Sequence, residues 1–208
     1  MTPPPRPADD PDPPFAIVLC AGASSRMGRA KATLPLQGRP VIAWHLERLA
    51  VACDPLVVVV GADASEVRAA VGAEATVVVN ADWASTHPVD SLRVGLDRVP
   101  WGTAGFVVPV DTPPAAVDTL QKLIWVGAPA VPVDPAGRSG HPVLVSPDIV
   151  ARIRSGPVQG GLRTLLGEAR RVAVDDPMVA WDFDDPDAFE RFVSQWKETP
   201  PASDGGNG

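Results

Sequence analysis

Apolar residues in this chain fall in short unbroken runs, at 15–20, 56–60, 76–79, 106–110 and 130–133. A strand with one wet face alternates polar and apolar side chains. Runs that are apolar throughout must be covered on both faces, as central parallel strands are. Between the runs the apolar spacing turns helical. Pro40 suits the first turn of a helix whose buried face is Val41, Ile42, Leu46, Leu49 and Ala50. Asp63-Ala64-Ser65-Glu66 has the capping-box pattern and predicts a helix to about Val71. Helices over 89–99 and 115–126 complete the alternation. Strands over 141–145 and 172–174 and a helix over 186–196 follow. This order and spacing predict a Rossmann-like, doubly wound α/β fold: one domain, three layers α/β/α, a mostly parallel sheet and right-handed crossovers.

Composition bounds that picture. The chain has 208 residues and is 45% hydrophobic, enough to fill one core. Residues 1–14 include seven prolines and 198–208 are mostly Pro, Ser, Asp, Gly and Asn, so both ends read as disordered tails around a domain at 15–197. No apolar stretch approaches the roughly 20 residues of a membrane span, and the start lacks a signal sequence. Cys20 and Cys53 make neither a metal spacing nor a disulfide framework, which fits a reducing cytoplasm. A net charge of -7 argues against nucleic-acid binding, and nothing argues for a membrane partner. Residues 175–208 carry that whole excess, with nine acids and two bases. Residues 13–46 contain no acid but hold Arg26, Arg29, Lys31 and Arg39, a local field suited to a compact polyanion or to ordinary surface solvation.

That basic window contains the loop after the first strand, Ala21-Gly22-Ala23-Ser24-Ser25-Arg26-Met27-Gly28-Arg29-Ala30-Lys31. In open α/β sheets ligands bind beyond the carboxyl ends of the strands. Small residues there let the backbone approach a ligand. Backbone N–H groups with Ser24 and Ser25 can donate to phosphate oxygens, and Arg26 and Lys31 add positive charge. The glycines are six apart and Lys31 is three past the second, so this is neither a P-loop nor a G-x-G-x-x-G fingerprint.

The stretch Leu19-Cys20-Ala21-Gly22-Ala23-Ser24-Ser25-Arg26-Met27-Gly28, with Lys31, Leu34-Pro35-Leu36 and Gly38-Arg39-Pro40, resembles the signature loop of the nucleotidyltransferases related to molybdenum cofactor guanylyl- and cytidylyltransferases. Further segments are similar in the same order. These are Asn80-Ala81-Asp82-Trp83, Val108-Pro109-Val110-Asp111-Thr112-Pro113, Gly140-His141-Pro142-Val143-Leu144-Val145 and Asp182-Phe183-Asp184-Asp185-Pro186. The resemblance implies transfer of a nucleoside monophosphate from an NTP, CTP in preference to GTP, to a phosphorylated acceptor, with molybdopterin preferred and a sugar phosphate as the alternative. It implies Mg²⁺ as cofactor. Leu19, Cys20 and Ala21 would lie near the base. Gly22, Ser24, Ser25, Arg26, Gly28 and Lys31 would hold the phosphates, and Asp82 would also contact the nucleotide. Arg26, Lys31 and Asp111 would be catalytic.

Asp111 ends an apolar run at the same sheet edge as the loop. It would hold the metal, although an Asp before Thr112-Pro113 equally suits a helix cap. Asp182 and Asp184 lie two apart and would face one side of an extended segment. Asp184 is taken as the second metal ligand with Asp182 as the alternative, and Asp185 as a helix cap before Pro186. His141 either contacts the acceptor or holds its turn. His45 and Cys53 read as packing. Where the family has a glycine before Ser-Leu, this chain has Ser85-Thr86-His87-Pro88-Val89-Asp90-Ser91-Leu92, with no glycine and one residue more, which loosens any role for Asp82 and Ser91. That departure leaves open a non-catalytic accessory protein that binds a nucleotide and a molybdoenzyme.

Overall fold

The computed structural model describes residues 12–22 and 27–197. The expected tails at 1–14 and 198–208, apart from residues 12–14, lie outside them, as do Ser24, Ser25 and Arg26 of the glycine loop.

Seven strands form one sheet. In chain order the elements are β1 (Phe15–Cys20), a hairpin of β2 (Pro35–Leu36) and β3 (Arg39–Pro40), α1 (Val41–Ala50), β4 (Leu56–Val60), α2 (Ala64–Val71), β5 (Thr76–Val79), α3 (Pro88–Leu96), β6 (Gly105–Pro109), α4 (Val117–Val126), β7 (Ala130–Val133), β8 (Val143–Val145), α5 (Pro147–Arg154), α6 (Gly161–Leu165), β9 (Arg170–Ala173) and α7 (Pro186–Gln195). The sheet order is β5-β4-β1-β6-β8-β7-β9. β8 runs antiparallel to β6 and β7, and the other pairings are parallel. The doubly wound, mostly parallel α/β sheet expected from the apolar runs is therefore the fold.

Alternate residues of β1 enter opposite cores. Ala16, Val18 and Cys20 pack with Ile42, Leu46 and Leu49 of α1, Val67 and Val71 of α2, and Leu120 and Leu123 of α4. Phe15 and Ile17 pack with Leu92 and Leu96 of α3 and with Ile149, Val150 and Ile153 of α5. Both faces are dry, which is why the strand carries no polar alternation. The edge strand β9 exposes Arg170 and Arg171, charges that discourage pairing with another chain.

A third cluster lies off the sheet. Leu36, Trp44 and Phe183 pack with Phe189 and Phe192 of α7 and with Trp196. Phe183 stacks on Phe192 with centroids 5.3 Å apart, and Trp44 Nε1 donates to the Leu36 carbonyl at 2.9 Å. Each buried aromatic contributes on the order of 2–3 kcal/mol. Together they fasten the segment before α7, including Asp184, to the glycine-loop side of the sheet.

Several expectations need correction. The helix after Asp63 forms, but the capping box does not. Asp63 has ψ 37, outside the extended region a capping side chain needs, and Glu66 instead accepts a hydrogen bond from Thr33 Oγ1. The box forms at α3, where His87 Nδ1 accepts from Val89 N–H at 3.4 Å and Asp90 Oδ2 accepts from His87 N–H at 3.0 Å. α3 ends at Leu96, short of the expected 99. The expected β-face pairing of Asp182 and Asp184 is absent because 181–184 is irregular. Asp182 is exposed beside Arg138 and Arg191, while Asp184 turns to Lys31.

Candidate active site

The chain leaves β1 for β4 and β5 on one side, then returns to β6 on the other, so β1 and β6 flank the switch point where such sheets bind ligands. Leu19 pairs with Pro109 across it. Leu19, Cys20 and Ala21 close the β1 end, Gly22 is exposed just beyond, and Gly28 is exposed in the left-handed region at φ +67. Asp111 sits two residues past β6.

Three side chains from distant parts of the sequence meet here. Lys31 Nζ donates to Asp111 Oδ2 at 3.0 Å and to Asp184 Oδ1 at 2.7 Å. Lys31 comes from a single 3₁₀ turn, Lys31–Thr33, whose Ala32 is buried against the α1–α2 core. Asp184 is delivered by the backbone bond of Phe183 N–H to the Asp111 carbonyl, 2.9 Å, and by the aromatic cluster behind Phe183. Asp185 accepts from Ala188 N–H at 2.8 Å and so caps α7 as expected.

Burial alone would lower the Lys31 pKa. The hydrogen bonds and charges of Asp184 and Asp111 outweigh it, and the net shift is upward, so the ammonium stays charged. The Lys31 side chain is 12% exposed. Its ammonium stands where two carboxylates converge, and the trio carries one net negative charge.

This arrangement fits a divalent metal: two hard oxygen donors already grip one cation, in the place a metal ion would take. Among the described residues no cluster of three or more His, Cys, Asp or Glu forms an all-protein cage. Two carboxylates that leave the remaining positions to phosphate and water are the usual Mg²⁺ pattern.

His45 of α1 steadies the loop beyond β6. It is 2% exposed, and its Nε2 lies 3.1 Å from the Thr112 carbonyl. Burial drives its pKa down to about 4, so the ring is neutral and Nε2 carries the donated proton. Arg48 adds a bond of 2.8 Å to the Pro114 carbonyl. Cys20 and Cys53 are free and buried, which raises both thiol pKa values, that of Cys53 to about 12, so neither is a nucleophile.

Asp82 stands beyond β5, two strands from the switch point. It is exposed, with its backbone tied to Asn80, Ser85 and Thr86. Ser91 is buried and accepts from Asn80 Nδ2 at 2.9 Å, so it braces α3 against the end of β5. The Gly140-His141-Pro142 turn does two jobs. Its N–H groups donate to Pro132 and Val179, and a Cβ on residue 140 would fall 1.7 Å from the Val179 carbonyl, so only glycine fits. The His141 ring lines a crevice of about 720 Å³ beside the switch point, together with Leu19, Pro109, His87 and Arg163. Burial lowers the His141 pKa, with the Asp111 charge opposing. The crevice residues His87 and Arg163 carry no sequence signal for such a role.

A switch-point loop, an acid on the neighbouring strand end and a lysine joining them define an α/β protein that handles nucleotide phosphates. Residues 16–173 match the MobA-like NTP transferase domain, and the chain belongs to that family and is a nucleotidyltransferase. It is 27% identical over 188 residues to the molybdenum cofactor cytidylyltransferase of Escherichia coli (strain K12), covering 88% of this chain and 96% of that protein. It is 30% identical over 154 residues to a molybdenum cofactor guanylyltransferase of Cereibacter sphaeroides, covering 68% and 76%. Among solved structures, Rv0371c from Mycobacterium tuberculosis H37Rv superposes with a TM-score of 0.75 at 30% identity, covering 88% of this chain and 98% of that one. That protein has also been solved as a complex with manganese.

Proposed function

We propose that the chain transfers a nucleoside monophosphate from an NTP, CTP in preference to GTP, to a phosphate monoester acceptor, molybdopterin, and releases pyrophosphate in the cytoplasm. The observation that carries this is the Lys31–Asp111–Asp184 junction at the β1–β6 switch point. The cytidylyltransferase relative spans nearly the whole chain and supports the preferred base.

A phosphate monoester is already anionic near neutral pH, so its oxygen needs no general base. It attacks the α-phosphorus in line, the new P–O bond forms, and the bond to the β-phosphate oxygen breaks with its electron pair leaving on pyrophosphate. Asp111 and Asp184 would hold Mg²⁺, which supplies charge neutralisation at the phosphates. Lys31, released from its carboxylates, moves its ammonium onto the triphosphate and offsets the charge of the leaving group. Gly22 and Gly28 keep the loop backbone bare enough to approach phosphate oxygens, with Ser24, Ser25 and Arg26 as further donors in the same loop. Leu19, Cys20 and Ala21 would border the base, and Asp82, although beyond β5, would be a further nucleotide contact.

The test is a panel of four NTPs with Mg²⁺ and molybdopterin, scored for pyrophosphate and dinucleotide. The expected result is molybdopterin cytosine dinucleotide as the main product. Binding of nucleotide without pyrophosphate release from any NTP would remove the proposal.

A further inference from the structure

The chain leaves β6 through Asp111-Thr112-Pro113-Pro114-Ala115, and the last four of these residues are buried. Pro113 and Pro114 have no N–H to donate and cannot continue a strand. The stretch therefore cannot hold itself by a backbone ladder, yet the carbonyls of a buried stretch need donors. Helix α1 supplies them. His45 Nε2 donates to the Thr112 carbonyl at 3.1 Å, and Arg48 Nη1 donates to the Pro114 carbonyl at 2.8 Å. Residues three apart share a helix face, so one face of α1 grips the backbone on both sides of Pro113.

Asp111 directly precedes the gripped stretch. On its other side Val110 N–H donates to the Leu19 carbonyl at 3.1 Å, which ties it to β1. The same helix reaches the other two members of the junction. Val41 N–H, at the start of α1, donates to the Leu34 carbonyl at 2.9 Å, and Leu34 N–H donates to the Lys31 carbonyl at 3.3 Å. The Arg48 guanidinium lies over the Trp196 ring, 4.4 Å from its centroid. Trp196 packs edge-on against Phe192 at 5.4 Å, and Phe192 stacks on Phe183, the residue before Asp184. The ten residues of α1 thus refer Lys31, Asp111 and Asp184 to one rigid element.

We propose that α1 is the frame that fixes the separation of the two carboxylates, with His45 and Arg48 as positioning residues for Asp111. The inference rests on the reading under which Asp111 and Asp184 hold the divalent ion. Neither His45 nor Arg48 is a metal ligand in that reading; each acts through a loop carbonyl. A small divalent ion tolerates little error in the placing of its oxygen donors. Groups that orient metal ligands from behind account for about 10- to 100-fold in metal affinity or activity. His45 is the stronger of the two, because its carbonyl belongs to the residue next to Asp111 and its ring is 2% exposed, with no water to replace it.

The test compares His45→Leu, His45→Gln and Arg48→Met with the parent. The readouts are Mn²⁺ binding without nucleotide, followed by the paramagnetic resonance of the free ion, kcat and KM for Mg·CTP in pyrophosphate release, and melting temperature. His45→Leu is expected to weaken Mn²⁺ about tenfold and to lower kcat about tenfold, with the KM for Mg·CTP within about twofold. His45→Gln, whose amide keeps a donor for the Thr112 carbonyl, should bring both back to within about threefold of the parent, and Arg48→Met should weaken Mn²⁺ about threefold. A lowered melting temperature with Mn²⁺ binding and kcat at parent values would reduce both residues to packing and overturn the proposal. Equal impairment in His45→Gln and His45→Leu would overturn the role of the hydrogen bond. If His45→Leu does not fold, parent-like Mn²⁺ binding in Arg48→Met overturns the proposal. If the parent itself binds no Mn²⁺ and releases no pyrophosphate from any NTP, the metal reading falls and takes the positioning assignment with it.

Discussion

The two sides of the β1–β6 gap are built for different tasks. On one side Lys31, Asp111 and Asp184 converge within 3.0 Å of a single ammonium, a small charged centre with little apolar surface. On the other, a crevice of about 720 Å³ has arginine, imidazole and serine groups on largely aliphatic walls and no carboxylate. The first suits a metal and a phosphate chain, which need charge at defined points. The second suits an organic body, which needs shape and dryness. On the proposed function, substitutions at the junction should change turnover more than substitutions in the crevice do.

The largest effect should come from the charged centre. Asp111→Ala is expected to lower turnover by about 10³-fold or more, roughly 4 kcal/mol, with an unchanged melting temperature. Near-parent turnover would remove Asp111 from the centre. Phe183→Ala should cost about 3–5 kcal/mol of stability in urea unfolding, because it empties the aromatic cluster that delivers Asp184. A loss below about 1 kcal/mol would mean that Asp184 is placed by other contacts. Lys31→Met should lower kcat/KM for CTP about 100-fold, roughly 3 kcal/mol. The same change should tighten Mn²⁺ binding measured without nucleotide, since the competing ammonium is gone. Weaker Mn²⁺ binding would show that the lysine supports the metal site instead.

The fourth effect is a pH dependence of stability. His45 has a folded pKa of about 4 against an ordinary 6.5, so the unfolded chain binds the extra proton. Its contribution is complete above about pH 6.5 and is lost as pH falls toward 4, on the order of 3 kcal/mol. Urea midpoints at pH 7.5 and 4.5 should show this loss, and His45→Gln, which keeps a donor for Thr112, should reduce it. An identical pH slope in the variant would exclude His45 as the source.

The charged side was largely legible in the sequence because its chemistry is concentrated in short motifs. A basic window without acids contained Lys31, an apolar run ended at Asp111, and Asp184 preceded a clear helix cap. That Asp184 rather than Asp182 turns inward was not legible, because it depends on Phe183 entering an aromatic cluster assembled from β2, α1 and α7. The crevice was hardly legible at all. α6 has five residues, too few for a periodic signal, and Arg163 looks like any surface arginine until the fold places it in the same crevice as His87. α5 did leave a signal in Ser146-Pro147 followed by Ile149, Val150 and Ile153: Ser146 Oγ caps the helix at 3.4 Å and the three apolar residues face the core. β8 was visible as a strand, but its antiparallel direction follows from the short return through Gly140-His141-Pro142, not from its composition.

The central claim is that one junction receives both the divalent ion and the triphosphate. Anomalous diffraction from crystals grown with Mn²⁺ and a non-hydrolysable CTP analogue tests it most directly. The account predicts a manganese peak bonded to Asp111 and Asp184, with the Lys31 ammonium moved onto the triphosphate. A manganese ion bound elsewhere, with Lys31 still bridging the two carboxylates while the nucleotide is present, would contradict it.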